Sequence, residues 1–283
     1  MKTDFLTRMA IASKRRLEAS KARCDEAGLR RLAEDHPLAA SLNLSTRGFD
    51  LIAEVKLRSP SAGELAGDIL SPVEQARRYA EAGASAISVL TEPEQFAGEL
   101  AHLEQVADAI PSLPAMRKDF LVSPYQVLEA RAAGAGGVLL IAAMLSAAEL
   151  RDMLLLTLGL GMFGLVEVFD PADLEHCLPV VEEAEAATGQ NGRERGCRLL
   201  IGVNCRDLRT LEVDFQRFET LAGQLPETIP WVAESGVQTA EQAAQVASLG
   251  YRLALVGTAL MRSVDPVAEA TAMISAGRQS LTA

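Results

Sequence analysis

The sequence predicts a (βα)8 barrel, the TIM-barrel class, and three observations carry that expectation. Runs with strand character recur eight times, as DLIAEVK, SAISVL, PAMRKD, GGVLLIA, FGLVEV, LLIGVN, PWVAES and RLALVG. Segments with apolar residues at three- and four-residue spacing separate them. The strand ends fall near residues 56, 90, 118, 142, 168, 204, 235 and 257, a spacing of roughly 29 residues that suits one βα unit. An open, doubly wound sheet is the competing architecture, but no GxGxxG follows the first strand.

The elements follow in order. Residues 1–47 precede the first strand, and Leu6 to Leu32 is rich in Arg, Lys, Ala and Glu, which reads as one or two surface helices capping the barrel. PVEQARRYAEAG, SPYQVLEARAAG, PADLEHCLPVVEEAEAATG and TAEQAAQVASLG are helices after strands one, three, five and seven. Several open on Ser, Thr or Asp near a Pro and close on Gly, the residues that satisfy free backbone groups at helix ends. TGQNGRERGCR, Thr188 to Arg198, is polar and glycine-rich and reads as an exposed loop. No second domain is visible, so residues 1–283 are expected to form one barrel with 1–47 as its helical extension.

Composition limits the partners. The chain is 49% hydrophobic and carries a net charge of −11 without a basic stripe, which argues against nucleic acid. The uncharged runs Ala132 to Ala148 and Met153 to Val166 fall short of a spanning helix and contain glycines, so no membrane partner is expected. The charged N-terminus lacks the apolar core of a signal peptide. Cys24, Cys177, Cys197 and Cys205 form no CxxC pair, so a cytoplasmic protein with reduced thiols is expected.

Barrel chemistry gathers at the carboxyl ends of the strands. In AEVKLRSPSAG, Glu54 and Lys56 are two residues apart, so on a strand they share one face while Ala53 and Val55 take the other. The other strand ends supply Lys118, Glu167, Asn204 with Arg206, and Glu234 with Ser235. Ionisable groups inside a barrel are costly unless paired. They are either buried ion pairs tying the barrel top together or a catalytic set. Gly236 after strand seven and Gly257-Thr258 after strand eight permit close backbone approach to an anion, at the two loops where barrels commonly hold phosphate. His36, His102 and His176 have no partner at ligand spacing, so no metal is expected. Cys205 has no accompanying histidine and reads as an inert thiol.

Six motifs in order, AEVKLRSPSAG, MRKDFLVSPYQ, GLVEVFD, IGVNCRDLRTLEVD, VAESGV and LVGTALMR, resemble the successive signatures of the indole-3-glycerol phosphate synthase family from about Leu51 to Arg262. The resemblance implies ring closure, decarboxylation and dehydration of 1-(2-carboxyphenylamino)-1-deoxyribulose 5-phosphate, without metal or organic cofactor. It implies Glu54, Lys56, Lys118, Glu167, Asn204, Glu234 and Ser235 as the active-site set. Lys118 would be the acid of ring closure, Lys56 would assist dehydration and hold phosphate, and Glu167 or Glu54 would be the base. Asn204 and Glu234 would hold sugar hydroxyls and orient the lysines. Ser59, Gly236, Gly257 and Thr258 would cradle the phosphate, with Arg206 nearby. Phe120, Leu139, Ile141 and Leu208 would line the anthranilate pocket. Burial and Lys56 are expected to lower the Lys118 pKa, against the pull of Glu54 and Glu167.

The chain departs from the family pattern in four places. Glu99 ends the Phe96-Ala97-Gly98-Glu99 segment where serine is usual, Ala62 stands where lysine is common, and Ser123 where aspartate often precedes Pro-Tyr-Gln. The only tryptophan is Trp231, so the N-terminal aromatic is of another kind. These leave room for a paralogue preferring a modified anthranilate, and a non-catalytic sugar-phosphate-binding barrel is a further alternative. A barrel of the phosphoribosylanthranilate isomerase type would carry a cysteine at the end of strand one, where this chain has Val55-Lys56-Leu57.

Overall fold

The computed structural model describes residues 4–59, 63–64, 71–188 and 196–281. Eight parallel strands close on themselves in sequence order: β1 Asp50–Val55, β2 Ala86–Leu90, β3 Ala115–Lys118, β4 Gly137–Ile141, β5 Phe163–Val168, β6 Leu199–Asn204, β7 Trp231–Glu234 and β8 Leu253–Val256. Every predicted strand end lies within one residue of the observed one. The expected barrel is therefore the observed fold, and the open sheet is excluded by β8 pairing with β1.

Strand alternation separates two apolar layers. Leu51, Ala53 and Val55 face outward into the core shared with the helices, while Ile52 faces the barrel interior with Met116, Leu139, Leu165, Leu200 and Val232. Glu54 shares the inward parity of Ile52, and Lys56 extends it past the strand end. Helices Pro72–Glu81, Pro124–Ala132, Pro171–Thr188 and Ala240–Ser248 follow the four segments expected. Ser71 and Glu74 close a capping box on the first of these. Ser123 accepts from the Tyr125 N–H at 3.3 Å, so the departure from aspartate still leaves a capped helix start. Of the loop expected over Thr188 to Arg198, residues 189–195 lie outside the described residues. Among those described, no helix is long and apolar enough to cross a membrane.

The N-terminal region forms α1, Phe5–Lys21, and α2, Glu26–Asp35. The expectation of surface capping helices needs correction for α1. Its apolar side, Phe5, Leu6, Met9, Ala12 and Leu17, is buried, and Phe5, Leu6 and Met9 belong to the cluster that fills the barrel interior. Arg16 on the same helix reaches two buried carboxylates at the barrel rim. Its Nη2 lies 2.7 Å from Asp119 Oδ1 and its Nη1 3.3 Å from Glu92 Oε1. Glu92 is otherwise occupied in capping helix Pro93–Phe96 through the N–H groups of Glu94, Gln95 and Phe96.

Removing one partner of a buried ion pair costs about 3–5 kcal/mol, because the other charge stays buried and unpaired. Arg16 keeps 23% of its side chain in water, which discounts that figure. Arg16→Met is expected to destabilise the fold by roughly 2 kcal/mol, read as a lower denaturant midpoint at unchanged slope. A midpoint equal to wild type would mean that water already screens the pair.

Candidate active site

One cavity of about 330 Å³ opens at the carboxyl ends of the strands. Every residue expected at the site lines it except Ser59, whose side chain lies outside what the structure describes. Ala62 also lies outside the described residues.

Glu54 organises the floor. Its Oε1 accepts from Lys56 Nζ at 2.5 Å, and its Oε2 lies 3.6 Å from Lys118 Nζ. The adjacent strand end and the end of β3 thus bring two ammonium groups to one buried carboxylate. Burial works against the Glu54 charge, but the two lysines outweigh it and hold the pKa below the usual glutamate value. Lys118 corrects the sequence-based expectation. Burial does oppose its charge, yet Glu54, Glu167 and Glu234 together win, and its pKa lies above the ordinary lysine value. Glu54 and Glu167 are in that expectation, and Glu234 from β7 is the third carboxylate that the closed barrel adds.

Across the floor, Glu167 Oε2 accepts from Asn204 Nδ2 at 3.0 Å, and Asn204 Oδ1 accepts from the Arg206 N–H at 3.0 Å. Arg206 also donates through Nη1 to the Leu211 carbonyl, so this side chain braces the loop after β6. Leu211 in that loop has φ +68° and lines the cavity with Leu208. Its contribution was not anticipated; a leucine in the left-handed region has no sequence signature.

The β7 and β8 loops form one wall. Ser235 and Gly236 both take left-handed conformations, at φ +62° and +67°, where only glycine is at ease. A Cβ on Gly236 would stand 2.5 Å from Cys205 Sγ. That thiol is buried and its pKa pushed up to about 12, which fits the inert reading. Gly257, Thr258 and Arg262 complete this wall. Gly257 has a second neighbour: its missing side chain leaves room for Glu54.

The opposite wall is aromatic and aliphatic. Phe120 packs edge-on to Phe5 of α1, with ring centroids 6.0 Å apart, and lies 6.3 Å from Phe96. Leu139 and Ile141 of β4 extend the surface. Phe5 is thus the N-terminal aromatic at the site, of the other kind that the absence of an N-terminal tryptophan requires. Phe120→Ala should remove stacking worth about 1 kcal/mol and raise KM roughly fivefold. Calorimetric binding of a product analogue checks this, and unchanged affinity would remove Phe120 from the pocket.

The histidines serve local structure. His36 Nδ1 lies 3.0 Å from the Pro37 carbonyl, His102 Nδ1 accepts from the Glu99 N–H, and His176 Nε2 lies 3.0 Å from the Leu145 carbonyl. Glu99 opens helix Leu100–Ala109. Among the described residues, no group of three or more His, Cys, Asp and Glu could hold a metal ion.

A family model described as indole-3-glycerol phosphate synthase matches residues 6–273. The chain belongs to the indole-3-glycerol phosphate synthase family. The synthase of that name from Arthrobacter sp. (strain FB24) is 40% identical over 274 residues, covering 96% of this chain and 94% of its own. That of Micrococcus luteus is 47% identical over 219 residues, covering 77% and 75%. Among solved structures, 3-hexulose-6-phosphate synthase from Salmonella typhimurium gives a TM-score of 0.59 at 13% identity, covering 82% of this chain and 100% of that one. Thiamine phosphate pyrophosphorylase from Pyrococcus furiosus gives 0.55 at 17%, covering 84% and 100%. At those identities the likeness is one of fold alone.

Proposed function

We propose that this member of the synthase family is a carbon–carbon lyase that converts 1-(2-carboxyphenylamino)-1-deoxyribulose 5-phosphate to indole-3-glycerol phosphate. The observation that carries this reading is Glu54 held between Lys56 and Lys118 on the floor of a cavity with one aromatic wall and one glycine-bearing wall. The substrate has matching parts: an aromatic ring at one end, a phosphate at the other, and a ketone between them.

In ring closure the aromatic carbon bearing the carboxylate attacks the ketone carbon, and the ketone oxygen takes a proton from Lys118. The bond to the carboxylate then breaks, carbon dioxide leaves, and its electron pair restores the aromatic ring. Loss of the new hydroxyl and of a carbon-bound proton gives water and the indole double bond. Lys56, beside Lys118 on Glu54, contributes positive charge that favours hydroxide departure and phosphate binding. Glu54 is occupied by two ammonium groups and serves to orient them. Among the described residues Glu167 carries no ammonium partner, its Oε2 alone being held by Asn204, and it is the better candidate for the base. Asn204 orients Glu167 through its 3.0 Å bond. Gly236, Gly257 and Thr258 would receive the phosphate with Ser59, and Ser235 would turn the chain into that loop.

All four cysteines are free thiols, which supports a cytoplasmic setting. Incubation with the carboxyphenylamino-deoxyribulose phosphate tests the reading directly through the appearance of indole fluorescence. No signal from mildly acid to mildly alkaline pH would favour a barrel that binds a sugar phosphate without turning it over.

A further inference from the structure

Glu167 on β5 and Glu234 on β7 stand on either side of β6, and the strand between them is bare at the crossing point. Gly202 is the β6 residue in register with Glu167, and a Cβ there would fall on Glu234 Oε1. Glu234 therefore extends across the Gly202 backbone toward Glu167, and the two carboxyl groups come within hydrogen-bonding reach. Glu167 Oε2 is taken by Asn204. Glu167 Oε1 and both oxygens of Glu234 are buried and have no other hydrogen-bond partner. The lysine ion pairs of this floor run to Glu54.

Two ionised carboxylates can only accept hydrogen bonds, so in contact they repel and leave buried oxygens unsatisfied. A single proton turns the same contact into a hydrogen bond. We propose that Glu167 and Glu234 hold one proton between them and work as one acid–base unit in the dehydration step, with Gly202 as the position that lets them meet. The inference rests on the reaction proposed above.

The electrostatics divide the pair. Burial first, then the Glu167 charge, raises the Glu234 pKa well above the usual glutamate value, with Lys118 pulling the other way. Burial also raises that of Glu167, but Lys118, Glu234 and Asn204 favour its charged form. Asn204 donates to Glu167 Oε2 while no amide or ammonium among the described residues bonds Glu234, so Glu234 is assigned the proton and Glu167 accepts it. The groups facing them are Glu54 from β1, Lys118 from β3 and Asn204 from β6.

In dehydration, Glu167 takes the proton from carbon, and the electron pair of that C–H bond becomes the ring double bond. The C–O pair leaves with the oxygen, which takes a proton from the now doubly protonated pair and departs as water. The pair ends with one proton, ready for the next turnover. Activity therefore needs the singly protonated state and falls as the pair gains or loses a proton, giving a bell-shaped profile that belongs to the pair. Lys118 remains charged across that range, so it does not set the alkaline limb.

Carbon-13 NMR of protein labelled at glutamate carboxyls tests the shared proton without substrate. At neutral pH the wild-type protein should show one buried glutamate in its protonated form, and Glu234→Gln should abolish that resonance while lowering kcat by about 10²-fold or more. Gly202→Ala, which forces the carboxyls apart, should shift its titration. A wild-type spectrum with every glutamate ionised at neutral pH overturns the inference, as does a protonated resonance that survives Glu234→Gln. The wild-type spectrum decides the matter even if a variant fails to fold. A protein that keeps the shared proton yet produces no indole would overturn the proposed reaction instead.

Discussion

Lys118→Met is expected to lower kcat by at least about 10²-fold, the lower bound for general acid catalysis, while product binding falls far less. A lysine with a raised pKa is a weak acid, but its partner in this step is not water. As the ring carbon attacks, the ketone oxygen becomes an alkoxide, a stronger base than an amine, and transfer from Lys118 is downhill. Until then the ammonium stabilises the developing charge in a site with little water. Methionine keeps the length of the lysine stem and limits the packing loss. Glu54 retains Lys56 at 2.5 Å, so its charge stays paired and the barrel should remain folded. Steady-state kinetics with a product-binding measurement read the split. A variant keeping more than about a tenth of wild-type kcat would make Lys118 an ion-pair member only, given the bound above, and the acid would be sought at Lys56.

The barrel was legible because periodicity repeated. Eight apolar runs at even spacing leave few ways to bury them, and strand alternation alone puts Glu54 and Lys56 on one face. Residues at strand ends are legible for the same reason, since the fold dictates where those ends converge. What α1 does was not legible. Phe5 and Arg16 meet Phe120 and Asp119 about a hundred residues away, across surfaces formed only after the barrel closes. An arginine in a charged helix looks the same in sequence whether it faces water or two buried carboxylates. The direction of the Lys118 shift failed for a related reason: burial and Lys56 were set against Glu54 and Glu167, but the closed barrel adds a third carboxylate, Glu234 from β7.

Gly257 shows how a position can be found for one reason and matter for another. The sequence points to phosphate, because a glycine after the eighth strand lets backbone N–H groups approach an anion. On that ground a substitution would raise KM alone. In the structure a Cβ at Gly257 would also strike Glu54, whose Cβ and Cδ would each lie 3.0 Å away and whose Oε1 would be closer still. Glu54 cannot yield freely, because Lys56 and Lys118 hold it and the barrel interior packs beneath it. Gly257→Ala should therefore push Glu54 off its lysines and misplace both ammonium groups. A displacement of about 1 Å in such a constellation costs on the order of 10²-fold in rate. Gly257→Asp adds a carboxylate against Glu54 and should be worse in both kcat and KM. Circular dichroism separates these losses from misfolding, and inhibition by inorganic phosphate reports the anion site independently of the chemistry. If Gly257→Ala keeps wild-type kcat and loses only affinity for phosphate, the clearance for Glu54 does not matter and the glycine serves the anion alone. A fall in kcat with phosphate inhibition intact would assign Gly257 to the lysine–carboxylate floor.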